Sequence, residues 1–143
     1  MCASALCNYL HALQKELWQL VDRASELLQA PDDPDLPRHM ATTLQSLAQV
    51  LDQQHTLLAT HGYLDEILKL APHMQRSLLR LYQGDIHLCQ EARHLAHQIG
   101  TSQRLDDASR ARIQQLLADI VSHIRKRNQV LLDAYFIEPA AVD

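Results

Sequence analysis

Glycine and aromatic residues are scarce: three Gly, one Phe, one Trp and four Tyr occur in 143 residues, beside five Pro. So little turn-forming material argues against an all-β or α/β chain. Cysteine is scarce too and odd in number. Cys2, Cys7 and Cys89 show no Cys-x-x-Cys spacing, which speaks against a disulfide framework and a zinc knuckle and leaves reduced thiols. There is no surplus of positive charge. With 13 Lys and Arg against 17 Asp and Glu the net charge is −4, which disfavours a nucleic-acid partner held by a broad basic face and an electrostatically held membrane. No apolar run approaches the roughly 18 residues of a spanning helix. The opening Met1-Cys2-Ala3-Ser4-Ala5-Leu6-Cys7 places no basic residue ahead of its apolar ones, so no secretory signal is read there. The expectation is a soluble cytoplasmic protein.

What is present is Leu, Ala, Gln and His in a chain that is 47% apolar and 21% charged, a composition that favours an all-helical fold. This length buries roughly 70% of the unfolded surface, enough for one domain over residues 1–143 without metal or disulfide. Leu6, Leu10, Leu13, Leu17, Leu20, Ala24 and Leu27 recur in steps of three and four, predicting a first helix over 3–29. Pro31 to Pro37 carries three prolines and three aspartates and reads as a loop. A second helix over 37–61 presents Met40, Leu44, Leu47, Leu51, Leu58 and His61, ends at Gly62, and precedes a short helical segment over 63–70. A third over 72–99 repeats Met74, Leu78, Leu81, Asp85, Leu88, Ala92, Leu95 and Ile99, and stops at Gly100. Asp106 or Asp107 can cap a fourth over 106–135, striped by Ile113, Leu116, Ile120, Leu131 and Ala134 and followed by a polar tail at Glu138-Pro139. The fold predicted is an antiparallel up-down-up-down four-helix bundle.

Some positions point inward yet are polar. Asp85 sits on the third stripe, His123 and Arg127 lie on or beside the fourth, Gln54 interrupts the second and Gln14 flanks the first. Each is near mid-helix, where antiparallel helices meet at one level, so a buried polar layer of an acid, an Arg, a His and two amides is predicted. Burying such a group unpaired costs roughly 1–3 kcal/mol.

This layout resembles the hemerythrin-like (HHE cation-binding) family of four-helix bundles with a di-iron centre. The strings that carry the resemblance are Gly62-Tyr63-Leu64-Asp65-Glu66-Ile67-Leu68, Ala71-Pro72, and His123 followed by Asn128-Gln129-Val130-Leu131-Leu132-Asp133-Ala134-Tyr135. The family pattern has one His on the first helix, His-x3-Glu on the second, His-x3-His on the third and His-x4-Asp on the fourth. The resemblance places these ligands on Gln14, with His11 nearly a turn away, then on Gln54 and Leu58, on Asp85 and Cys89, and on His123 and Asn128. Only His123 keeps its type, with Asp85 a carboxylate in a histidine's place. Shifting the second helix by one residue would bring in His55, but off the stripe of Leu47, Leu51 and Leu58. Gln, Leu and Asn cannot replace imidazoles and bridging carboxylates around iron. The resemblance therefore implies a bundle whose metal has given way to a polar cluster, Asp85 with Arg127 and His123, with no cofactor.

Nine His invite a metal reading, but His39 and His73 lie in first helical turns, His87 and His94 fall off the stripe, and the pair His94 and His97 reads as exposed. Asp85, Cys89 and His123 could suit one zinc. Gly62, Gly84 and Gly100 form no phosphate or dinucleotide loop, and no catalytic constellation occurs. Arg125-Lys126-Arg127 is the one basic run, read as a solvated face with one inward member. The leading function is therefore non-enzymatic: a binding or regulatory protein acting on a protein partner or small ligand. One alternative is a hemerythrin-like sensor binding iron or zinc, or a protein handling oxygen or nitric oxide. A second resembles the export chaperones, helical bundles that bind a client helix, with Leu57, Leu79 and Ile137 as exposed apolar positions.

Overall fold

A computed structural model describes residues 4–60, 65, 68–69 and 71–135. Four long helices hold nearly all of them: α1 (Ser4–Gln29), α2 (Leu36–Thr60), α3 (Gln75–Gly100) and α4 (Asp107–Tyr135). Among the described residues there is no strand, and no helix is long and apolar enough to cross a membrane. Each helix packs on its neighbours in sequence, and α4 returns to α1, closing a four-helix bundle. Cross-helix contacts fix its sense. Ala41 on α2 lies beside Gly100 on α3, Ala48 beside Cys89, and His55 beside Asp85, so α2 and α3 run antiparallel. Gln98 meets Arg112 near one end of the α3–α4 pair, and Asp85 meets His123 further along, so α4 reverses again.

The connections follow from their side chains. Between α1 and α2, Asp33 Oδ1 accepts the Asp35 N–H at 2.8 Å and the Asp33 carbonyl accepts the Leu36 N–H at 2.9 Å. α2 begins at Leu36, one residue ahead of the expected start, so Pro37 falls in the first turn, where its missing N–H removes no helix bond. α3 begins at Gln75, later than predicted, because Pro72–Met74 forms a separate 3₁₀ turn. At α4 it is Asp106 that caps: its Oδ1 accepts the Ser109 N–H at 2.7 Å, which holds the carboxyl below the usual carboxylate range. Arg110 then ties the start of α4 to the end of α1. Its Nη1 donates to the Leu28 carbonyl at 2.6 Å, an acceptor the helix end leaves open.

The predicted stripes supply most of the core. Leu17, Met40, Leu44, Leu47, Leu51, Leu95, Ile99, Ile113 and Ile120 are buried to within 2% of full enclosure, each contributing roughly 1.5–3 kcal/mol of transfer free energy. On α1 the core face passes from Leu13 and Leu17 to Val21 and Ala24, leaving Leu20 and Leu27 half-buried. A helix of 3.6 residues per turn drifts away from a strict seven-residue repeat, and Val21 replaces Leu20. Leu81 is likewise half-buried. Leu57, expected to be exposed, is buried, so α2 is apolar over a wider arc than its stripe indicates. Leu79 is exposed at 55%. Ile137, His61, Gly62, the Glu138-Pro139 tail and most of the 63–70 segment lie outside the described residues.

Candidate functional site: a carboxylate shared by three helices

Asp85 stands midway along α3, 3% exposed, and both of its oxygens are taken. His123 on α4 donates its Nε2–H to Oδ1 at 2.6 Å, and His55 on α2 donates its Nδ1–H to Oδ2 at 3.3 Å. One turn beyond His123, the Arg127 guanidinium brings Nη1 to 3.9 Å from Oδ1, inside ion-pair range and beyond a hydrogen bond. Two helices, α2 and α4, thus send three cation-capable side chains to one carboxylate on α3. Burial pushes the Arg127 guanidinium below its ordinary value, and the Asp85 charge opposes that shift.

The geometry depends on the backbone. Gly84 precedes Asp85, and a Cβ placed there would lie 2.8 Å from His123 Cε1 and 2.9 Å from Nδ1, closer than real Cβ contacts allow. The absence of a side chain at Gly84 lets the imidazole approach α3 closely enough to reach Asp85. That explains a residue which otherwise costs a helix interior about 1 kcal/mol relative to alanine. Tyr82, one turn before Asp85, packs its ring 4.0 Å from that of His55 at a tilt of 57° and orients the second imidazole.

Hydrogen bonds and the ion pair bring together Asp85, His123 and Arg127 as the sequence predicts. Gln54 is also fully buried, at 1% exposure, and its Oε1 has no hydrogen-bond partner, as is true of Arg127 Nη1. Leu58 is buried and apolar. Gln14 and Asn128 are half-buried and make no side-chain hydrogen bond among the described residues, so the polar layer holds one buried amide instead of two. Cys89 lies one turn beyond Asp85 and donates its thiol to the Ala48 carbonyl at 3.4 Å. Burial pushes this thiol up, with Arg93 opposing. His55 and Gly84 were not picked out by the sequence reading. Helical phase puts His55 off the stripe of Leu47, Leu51 and Leu58. It does lie at the stripe's edge, but an imidazole is long enough to reach inward from there.

The donor set does not fit a di-iron centre or a zinc ion. Both Asp85 oxygens face imidazoles, the Cys89 thiol turns to the Ala48 carbonyl instead of toward Asp85, and a guanidinium, which would repel a cation, stands in ion-pair range. Among the described residues no group of three or more His, Cys, Asp and Glu is placed to hold a metal ion. His39, His73, His87, His94 and His97 are all exposed. No family model, no curated protein and no solved structure matches this chain.

Proposed function

We propose that the chain is a hemerythrin-like bundle in which the Asp85, His123, His55 and Arg127 cluster takes the place of the metal, and that it acts as a non-enzymatic binding or regulatory protein in the cytoplasm. The observation that carries this reading is the double engagement of Asp85. A carboxylate with an imidazole N–H on each oxygen and a buried guanidinium nearby is internally satisfied, and a dication would have to displace the protons and sit beside a like charge. The free thiol of buried Cys89 accords with a reducing compartment. The family resemblance supplies the ancestry, and the antiparallel bundle accords with it. Elemental analysis of protein purified without chelator or affinity tag tests the proposal. It predicts far less than one metal per chain and no absorption in the visible range. Two irons per chain with oxo-bridge absorption would contradict it and restore oxygen or nitric-oxide chemistry, and one zinc per chain would contradict it too.

A further inference from the structure

The seam between α1 and α4 is the thinnest of the four, and an open groove of about 830 Å³ runs along it. Val21 and Leu28 of α1 with Leu117 and Val121 of α4 form its apolar floor. Arg110, Arg125 and Lys126 also line it, whereas no Asp or Glu does, in a chain of net charge −4. Arg110 is already engaged, donating to the Leu105 and Leu28 carbonyls and to Asp32. Arg125 and Lys126 are exposed and form no ion pair among the described residues. The basic run of the sequence thus divides within one helical turn: Arg127 turns into the polar cluster, and its two neighbours face the groove.

We propose that this groove receives an acidic amphipathic helix from a partner protein, seated as a fifth helix against α1 and α4 with its carboxylates on Arg125 and Lys126. The inference deepens the binding role proposed above and rests on it only for that role. From Arg110 to Lys126 the groove follows seventeen residues of α4, about 24 Å or four turns at 1.5 Å per residue. A groove open along its length suits an occupant that keeps one face in water, as an amphipathic helix does, whereas a lipid tail needs near-complete enclosure. Ser25, Gln29, Gln114 and Ser122 also line it and offer hydrogen bonds that an alkyl chain cannot use.

The probe is a fluorescent designed peptide of about 18 residues, four to five turns, with Leu along one face and Glu clustered at one end, beside a copy with Lys for every Glu. The full-length chain should bind the Glu peptide, with backbone amide shifts at Val21, Leu28, Leu117 and Val121. Arg125→Glu with Lys126→Glu should weaken it about tenfold or more and turn preference toward the Lys peptide. If that double variant melts below the wild type, Ala118→Glu, at an exposed lining position, adds acid to the groove without removing a cation and should weaken binding in the same direction. Failure of the Glu peptide to bind, equal binding of both peptides, amide shifts confined to other surfaces, or displacement of the peptide by palmitate would each overturn the proposal. Metal content reads the proposed cluster separately. Iron-loaded protein that still bound the Glu peptide would contradict the metal-free reading alone, and metal-free protein that failed to bind it would contradict the groove alone.

Discussion

The two ends of this bundle solve burial in opposite ways. At the end where α1 finishes and α4 begins, Leu17, Met40, Leu44, Leu47, Leu95, Ile99 and Ile113 enclose one another, and the one buried polar side chain on that stretch of α2, Thr43, is satisfied within its own helix by the His39 carbonyl. Toward the other end α2, α3 and α4 bury Gln54, Asp85, His123 and Arg127. The apolar end is stabilised by area removed from water and by dense packing, terms that act in small increments. The polar end depends on mutual satisfaction, since each group is costly unless its partners are present. Removing one member of the first kind of layer leaves a cavity. Removing one member of the second leaves charges and donors stranded.

The largest expected effect breaks that second layer at its centre. Asp85→Leu deprives both imidazoles of their acceptor and Arg127 of its counter-charge, and should cost about 3–5 kcal/mol in urea unfolding. Adding Arg127→Leu to it should recover a large part of the loss, since no buried guanidinium then remains, whereas a merely additive pair would mean that the two side chains do not interact.

Next in size is Gly84→Ala. On an exposed helix this change stabilises by up to about 1 kcal/mol. Here the added methyl meets the His123 ring, so a loss of about 1–3 kcal/mol is expected, with weakening of the His123–Asp85 bond. A rise in stability would show that the ring does not lie on the α3 backbone.

Gln54→Leu sharpens the comparison in the opposite direction. It replaces a buried, unpartnered Oε1 by an apolar group of similar size, converting one position of the polar end to the rule of the apolar end. Stability should rise by about 1 kcal/mol. A loss of similar size would mean that this carbonyl has a partner after all.

The smallest effect is a pH dependence. Cys89 keeps its proton in the folded state above the pH at which the unfolded chain gives it up, because burial raises its pKa. Its contribution is therefore fully present below about pH 9 and is lost as pH climbs through the folded value. Wild type should lose stability relative to Cys89→Ala above that pH and run parallel to it below.

Much of this architecture was legible in helical phase alone. Four stripes located the four helices, and the inward phase of Gln54, Asp85, His123 and Arg127 located the buried polar layer, because a period of 3.6 converts sequence position into direction. Phase fails at the stripe's edge. Gln14 and His55 both flank their stripes, but His55 has a buried carboxylate within reach on α3, whereas Gln14 makes no side-chain hydrogen bond among the described residues. Which flank turns inward depends on the neighbouring helix, which no single stripe contains. Gly84 did leave a signal: a glycine inside a strongly periodic helix, next to a polar core residue, has a local cost that only a close approach by another side chain explains. The groove on α1 and α4 lay beyond reach, because it depends on how far two helices stand apart.

The most direct test of the central claim is a long-range ¹H–¹⁵N spectrum of the histidine side chains, recorded with and without a strong chelator. His123 should carry its proton on Nε2 and His55 on Nδ1, each slow to exchange with water, and the chelator should change neither signal. Imidazoles that lose this pattern when the chelator is added, or that exchange freely throughout, would contradict a carboxylate held in place of a metal.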